Sequence, residues 1–297
     1  DGGDGIDTYR DDGALTATTV EGTGTGTSTG VVVNLGSAAI TNSTVLATIS
    51  QDLSGSLTSV EAGKDAYVFN GSAVVNTTGT DTLTSIENVT LFDGINYIVG
   101  SDAANVITGG TGTDWITSGN GADTITGGSA ADTITLTETA ANSAADTVKY
   151  TFTTAAELAT EVGSAAGTDN DFAAGTVGDK IVGFTSGTDV IHIKAAAVTN
   201  AVGTEVDTLK TIAAAGTVAD TDRFVEITTA QANGQMGTAI TLLNGLTTTA
   251  VAVGDSFTAF INDGNDGYLY LVQQVSTADT IAAQDVTLIG QLTGVTD

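Results

Sequence analysis

At 297 residues the chain is long enough for about two domains of ordinary size and a substantial hydrophobic core. Its 35 Asp and Glu against 7 scattered Lys and Arg leave a formal charge of −28, which makes nucleic acid and anionic membrane poor candidates as partners and calls for cations or a basic partner. Cys is absent, excluding a disulfide framework and a thiolate metal site, and no apolar run approaches the ~18 residues a membrane-spanning helix needs.

The chain opens as "DGGDGIDTYR" (1–10), already inside a repeating pattern and without an initiator Met or signal peptide, so it reads as a piece of a longer protein. Proline is absent and Thr, Ala, Gly, Asp and Val dominate, favouring β-strand stacks with Gly/Asp turns. An insertion follows at about 11–90. It holds a Gly/Thr loop, "EGTGTGTSTG" (21–30), and a buried-strand candidate, "VVVNL" (31–35). Whether the insertion packs on the rest or forms a separate lobe stays open. "GTDTLTSIENVTL" (79–91), with Asp81 and Glu87 near turn positions, reads as an irregular lead-in coil with modest ladder pairing.

Five contiguous nonapeptides then run from 91 to 135: "LFDGINYIV", "GSDAANVIT", "GGTGTDWIT", "SGNGADTIT" and "GGSAADTIT". Ile98, Ile107, Ile116, Ile125 and Ile134 form an apolar column that Val89 extends backwards, and Asn96, Asn105, Asp114, Asp123 and Asp132 form an oxygen-bearing one. Gly at the first, second and fourth places permits positive φ in a tight turn, and x-apolar-x makes a short strand with one side chain inward. Two such units complete one turn of a flattened right-handed spiral, so residues 18 apart stack at about 4.8 Å. Asn96 then lies over Asp114, Asn105 over Asp123, and Asp114 over Asp132. Stacked carboxylates repel unless a cation lies between them. Ca²⁺ suits such a site, taking six to eight oxygens from carboxylates and turn carbonyls; Mg²⁺ demands tighter geometry and zinc lacks Cys and His ligands. The alternative is a metal-free ladder in which Asp and Asn only hydrogen-bond the turns.

These units resemble the hemolysin-type calcium-binding repeat of the RTX proteins, Gly-Gly-x-Gly-x-Asp-x-apolar-x. "GGDGIDTYR" (2–10) and "GGTGTDWIT" (109–117) match all of it; others carry Ala at the fourth place or Asn for Asp. The resemblance implies an all-β fold, a calcium-binding parallel β-roll followed by a mostly β domain with short helices, divided at 1–140 and 141–297. It implies several Ca²⁺ ions held at turns that include Asp4, Asp7, Asn96, Gly100, Asp102, Asn105, Gly110, Gly112, Asp114, Gly119, Asn120, Gly121, Asp123, Gly128 and Asp132. The firmest sites involve Asp114, Asp123 and Asp132.

Beyond Thr135 the glycine beat stops. "ADTVKYTFT" (145–153) reads as a strand, and "GDKIVGFTSGTDVIHIK" (178–194) as strand, turn and strand. The latter resembles the module that follows calcium rolls in RTX proteins, which makes Asp179 and Asp189 further candidate ligands. "GTEVDTLKTIAAAG" (203–216) has helical spacing and predicts a short helix. "SFTAFINDGNDGYLYLVQQV" (256–275) predicts a β-hairpin with a solvated turn. The end, "DVTLIGQLTGVTD" (285–297), resembles the uncleaved C-terminal signal of proteins exported by type I machinery.

Catalytic signatures are sparse. His192 is the sole histidine, on the polar face of its strand, and the His-Glu-x-x-His helix of a zinc protease is absent. Ser28 in "GTSTG" (26–30) matches Gly-x-Ser-x-Gly but lies in a Gly/Thr loop. Trp115 faces outward as a candidate stacking or interface residue. The whole most resembles the C-terminal part of an RTX bacterial surface-layer protein: secreted, extracellular and non-enzymatic. Its implied partners are copies of itself and cell-surface polysaccharide reached through a region outside this chain, with no nucleic acid and no membrane span. An RTX adhesin, or the secretion and folding domain of a larger hydrolase, are the other readings.

Overall fold

A computed structural model of the chain describes residues 5–10, 28–41, 46, 59–69, 82–92, 94–136, 138, 144–152, 155–163, 178–193, 209–212, 217–219, 224–227, 243, 247–249, 256–273, 281 and 285–295. The fold is all-β, and the chain divides into two compact units: Asp1–Val148 with Gly187–Val190, and Lys149–Ser186 with Ile191–Asp297.

The first unit is a β-roll. Its strands are β1 (Thr8–Arg10), β2 (Ser28–Asn34), β3 (Lys64–Phe69), β4 (Asn88–Thr90), β5 (Tyr97–Val99), β6 (Val106–Thr111), β7 (Trp115–Thr117), β8 (Thr124–Ser129), β9 (Thr133–Thr135) and the start of β10 (Thr147–Tyr150). The chain alternates between two faces, ordered β1-β4-β6-β8-β10 and β3-β2-β5-β7-β9. Parallel registers of Ile107 on Ile125, Ile98 on Ile116 and Ile116 on Ile134 realise the 18-residue step. Tyr9 pairs with Val89, and Val148 with Ile125, so the coil continues at both ends of the regular array. The apolar column is the roll's interior: Val89, Ile98, Ile107, Ile116, Ile125, Ile134 and Val148 are at most 1% exposed. Each buried Ile contributes about 1.5–3 kcal/mol.

The insertion packs on this roll in its described part. β2 joins β5 in parallel, Val32 beside Tyr97, as an additional coil, and turns back through antiparallel β3. Val32, Ile40, Leu46 and Val60 form a buried cluster against which Ile95, Tyr97, Val99 and Trp115 pack. Trp115, outward on its strand, is therefore a half-buried residue that packs on the cluster supplied by the insertion. Buried Asn34 pins the returning loop, donating to the carbonyls of Ala38, Val60 and Glu61 and accepting from the Gly36 N–H. The lead-in at 79–91 contributes β4 and an isolated bridge, Lys64 to Thr82, while Asp81 lies outside the described residues.

The second unit contains the rest of β10, α1 (Ala155–Glu161), β11 (Asp179–Val182), β12 (Val190–Ile193, from Ile191 onward), β13 (Leu209–Ile212), β14 (Thr217–Ala219), β15 (Phe224–Ile227), β16 (Thr247–Thr249), β17 (Ser256–Asn262), β18 (Gly267–Gln273) and β19 (Val286–Thr293). Its main sheet runs β13-β15-β17-β18-β19-β11, beside a small β14-β16 pair. The helix expected over 203–216 is not formed at its described centre: Leu209–Ile212 is strand, parallel to β15. Residues 203–208 and 213–216 lie outside the described residues. Pairing to a preformed sheet outweighs the weak helical spacing of a Thr/Ala-rich stretch. The β17–β18 hairpin forms as expected, but every residue of β17 is buried, so Ser256 and Thr258 are buried with the apolar positions. The C-terminal stretch is also structural: β19 lies between β18 and β11 with most of its residues buried.

Candidate metal centre

Register places two columns of polar residues at the turns of the roll. In one column Asp7 meets Glu87, followed by Asn105, Asp123, Asp146 and Asp189. The Asp7 N–H donates to Glu87 Oε2 (2.8 Å), Asn105 N–H to Asp123 Oδ1 (2.7 Å), Asp123 N–H to Asp146 Oδ1 (2.9 Å) and Asp146 N–H to Asp189 Oδ1 (2.9 Å). In the other, the N–H groups of Val31, Asn96 and Asp114 donate to Oδ1 of Asn96, Asp114 and Asp132 at 2.9, 2.7 and 2.8 Å. One oxygen of each carboxylate thus caps the amide that begins the neighbouring strand, fixing the side chain in place.

The second oxygen is left over. Asp123 and Asp146 are 1% and 0% exposed, and their Oδ2 atoms, with that of Asp7, are buried without a hydrogen-bond partner. Burial pushes the Asp123 carboxyl up to about 7, reinforced by Asp146 and Glu138 and opposed by the Asn105 N–H and the Ser118 hydroxyl. Asp146 is pushed to about 6, again mainly by burial, with Asp189 and Glu138 adding and the Asp123 N–H opposing. Without a counter-ion, ionising this column is costly.

The Asn levels differ. Asn96 Nδ2 donates to the Gly109 carbonyl (3.1 Å) and Asn105 Nδ2 to the Glu87 carbonyl. There the amide hydrogens occupy carbonyls that a cation would use, so Asn96 and Asn105 sit in the columns but supply their own neutral capping. At Asp114 the side chain carries no amide hydrogens, and its Oδ2 and the Gly127 carbonyl both press on the place a Cβ of Gly109 would take, so only glycine fits beside them. Buried oxygens, adjacent turn carbonyls and space kept by glycine fit a hard cation such as Ca²⁺. Among the described residues no three Asp, Glu, His or Cys side chains gather closely enough to hold an ion by themselves; a Ca²⁺ ion at these turns would draw on backbone carbonyls as well.

Glycine is required here for two reasons. Gly110, Gly112, Gly119, Gly121 and Gly128 all have φ between +95° and +113°. At Gly128 a Cβ would also overlap the Gly110 carbonyl of the neighbouring turn. Gly100 has no such φ but lies against the Ser118 carbonyl and Asn105 Oδ1. Ala130 adopts φ +83° at a fourth position without being glycine.

Of the other expected ligands, Asp4 lies outside the described residues. Exposed Asp102 accepts from Asn120 Nδ2 (2.6 Å), so these two brace adjacent turns through each other. Asp189 continues the first column, whereas Asp179 is a buried strand residue opposite Gly290 in the second unit. Two column members escaped the sequence reading: Glu87 as a member of the stack, and Asp146. The signal for Asp146 was Ala145-Asp146-Thr147-Val148, which repeats Ala122-Asp123-Thr124-Ile125, displaced by 23 rather than 18 residues. The carboxylates of the hairpin turn are taken up by the protein: Asp263 Oδ1 accepts from the Asn265 and Asp266 N–H groups and its Oδ2 from the Tyr268 hydroxyl, while Asp266 accepts from Gln291 Nε2 and the Gly294 N–H. Ser28 opens strand β2 instead of ending a strand before a helix, and His192 is exposed on β12.

Residues 92–124 and 99–134 match the family model described as RTX calcium-binding nonapeptide repeat, in four copies. Comparison with curated proteins and with solved structures finds no match. The matched stretch contains Asp114, Asp123 and Asp132, and stops short of Glu138, Asp146 and Asp189. No helix among the described residues is long and apolar enough to cross a membrane.

Proposed function

We propose that this chain, a carrier of RTX calcium-binding nonapeptide repeats, belongs to a secreted, non-enzymatic structural protein of a bacterial cell surface that folds on extracellular calcium and assembles with its own copies into a surface layer. The observation that carries this reading is the buried carboxylate column with unpartnered oxygens, in a chain of net charge −28. Calcium supplies the positive charge that allows those carboxylates to stack ionised. Asp114, Asp123 and Asp132 hold it, with turn carbonyls that glycine keeps accessible. Where calcium is scarce the columns repel and the chain favours an extended state suited to export; at about 10⁻⁴ to 10⁻³ M calcium, the range of extracellular modules, the turns are neutralised and the roll forms. Sheet edges and loops then meet other copies, and the buried β19 gives the C-terminal stretch a structural role alongside any export signal.

Sedimentation and electron microscopy of the full chain, chelated and then supplied with calcium, test the assembly step. Extended sheets that form with calcium and dissolve in chelator are the expected result. A calcium-bound chain that stays monomeric at all concentrations overturns the surface-layer reading and favours an adhesin spacer or a hydrolase's folding domain.

A further inference from the structure

We infer that the outer face of the β1-β4-β6-β8-β10 sheet is where two copies of the chain meet, sheet against sheet. This rests on the reading of the chain as self-assembling, and adds to it the surface used. In each coil the fifth, seventh and ninth places of the repeat point outward and flank the inward sixth and eighth. The stack carries this face from β1 as far as Val190, whose N–H donates to the Asp146 carbonyl (2.8 Å) as that of Thr147 does to the Asp123 carbonyl (2.8 Å). None of the outward places on this face holds Asp or Glu, in a chain with 35 of them, and the charges they do hold, Arg10 and Lys149, are basic. Apolar side chains lie open among the threonines. Ile6 is 80% exposed, Val106 50% and Val190 49%, with exposed Ala104, Ala122 and Ala145 in the same rows. The carboxylates of the adjoining column point inward, Asp123 and Asp146 being buried.

The opposite face shows what such a surface accepts. There the outward Tyr97, Val99 and Trp115 pack against the apolar cluster of the insertion. The first face keeps its apolar residues in water, and a continuous apolar strip marks a surface that meets something. A second copy suits it, because two bodies of formal charge −28 repel wherever carboxylates face each other. On this face uncharged rows meet uncharged rows. A two-fold axis between β6 and β8 lays β6 of one copy across β8 of the other, with the sheets about 10 Å apart. From strand spacing and rise the face measures roughly 25 Å by 13 Å. That is well below the about 800 Å² that each partner buries in a stable pair. The contact is therefore weak alone, dissociates on dilution, and gains strength when a lattice repeats it.

The test compares the full chain in saturating calcium as wild type, Val106→Glu, Thr124→Glu and, with the same added charge on the opposite face, Thr135→Glu. Circular dichroism reads folding and sedimentation reads assembly. All four should fold, and Thr135→Glu should assemble as wild type does. Val106→Glu and Thr124→Glu should need about tenfold more protein to assemble, or more, because like charges then meet across the face. The chain has no Cys, so Val106→Cys gives a second readout should a charged variant fail to fold. A short thiol-reactive cross-linker should join Val106→Cys chains in pairs in calcium and not in chelator, and should leave Thr135→Cys chains single. If Val106→Glu folds and assembles as wild type does, or Val106→Cys assembles without cross-linking, copies meet elsewhere: this inference falls and the surface-layer reading stands. A wild type that stays monomeric in calcium at all concentrations overturns both.

Discussion

Raising the pH of the chelated protein from 5 to 8 should destabilise the roll by an amount that the buried column sets. Asp123 and Asp146 titrate near 7 and 6 in the folded state, against 3.8 for an unperturbed carboxyl. Their folded-state values are raised, so the stability they contribute is fully present below about pH 4 and is lost as pH rises through 6 and 7. Between pH 5 and 8 linkage gives a loss of about 2.5 kcal/mol from Asp123 and about 1.5 kcal/mol from Asp146, together about 4 kcal/mol. That is a large share of the roughly 5–15 kcal/mol that holds a domain together. Trp115, the sole tryptophan and packed against the Val32, Ile40, Leu46 and Val60 cluster, reports urea unfolding of this unit. The midpoint should fall steeply from pH 5 to 8 in chelator. With saturating calcium the trend should invert, because the ion requires ionised carboxylates and is released by acid. A chelated protein whose midpoint is flat or rises from pH 5 to 8 would refute the claim that these carboxylates are buried and uncompensated.

Two backbone tests follow. Gly128→Ala should cost well over the roughly 1–3 kcal/mol of a strained φ, because the added Cβ meets the Gly110 carbonyl, whereas Gly187→Ala, at φ +76° with nothing within 4 Å, should cost only the φ term. Thermal melts followed at Trp115 in calcium separate the two, and equal losses would contradict the close stacking of turns. Ala130→Gly should stabilise the roll by about 1 kcal/mol, since it relieves a φ of +83° that favours glycine. A lower melting temperature for that variant would show that the Ala130 turn is not strained.

The regular part of the roll was legible because its chemistry repeats at a fixed step. Ile98 to Ile134 and Asn96 to Asp132 needed only the rule that two nonapeptides make one coil, and the registers follow it. Legibility ended where the step changed. Asp146 and Asp189 occupy the same column as Asp123, but 23 and then 43 residues separate its successive members, and a column is visible in sequence only while its spacing is constant. Strand β2 was legible as a buried strand from Val31–Val33, yet its place beside β5 depends on long-range pairing that no local pattern encodes. The same limit applies to Trp115, whose outward direction was read correctly while the layer covering it comes from the insertion. At Leu209–Ile212 a spacing suited to one face of a helix also suited a strand, and pairing with β15 decided between them.

The most direct test of the central claim, that the carboxylate columns need calcium, is circular dichroism of the chelated chain near pH 7.5, titrated with Ca²⁺ and separately with Mg²⁺ at equal ionic strength. The account predicts a β signal in chelator well below that in calcium, a cooperative rise at about 10⁻⁴ to 10⁻³ M calcium, and no comparable rise with magnesium. A chain already fully β in chelator and unchanged by calcium would mean that the Asp columns serve only to cap the turns.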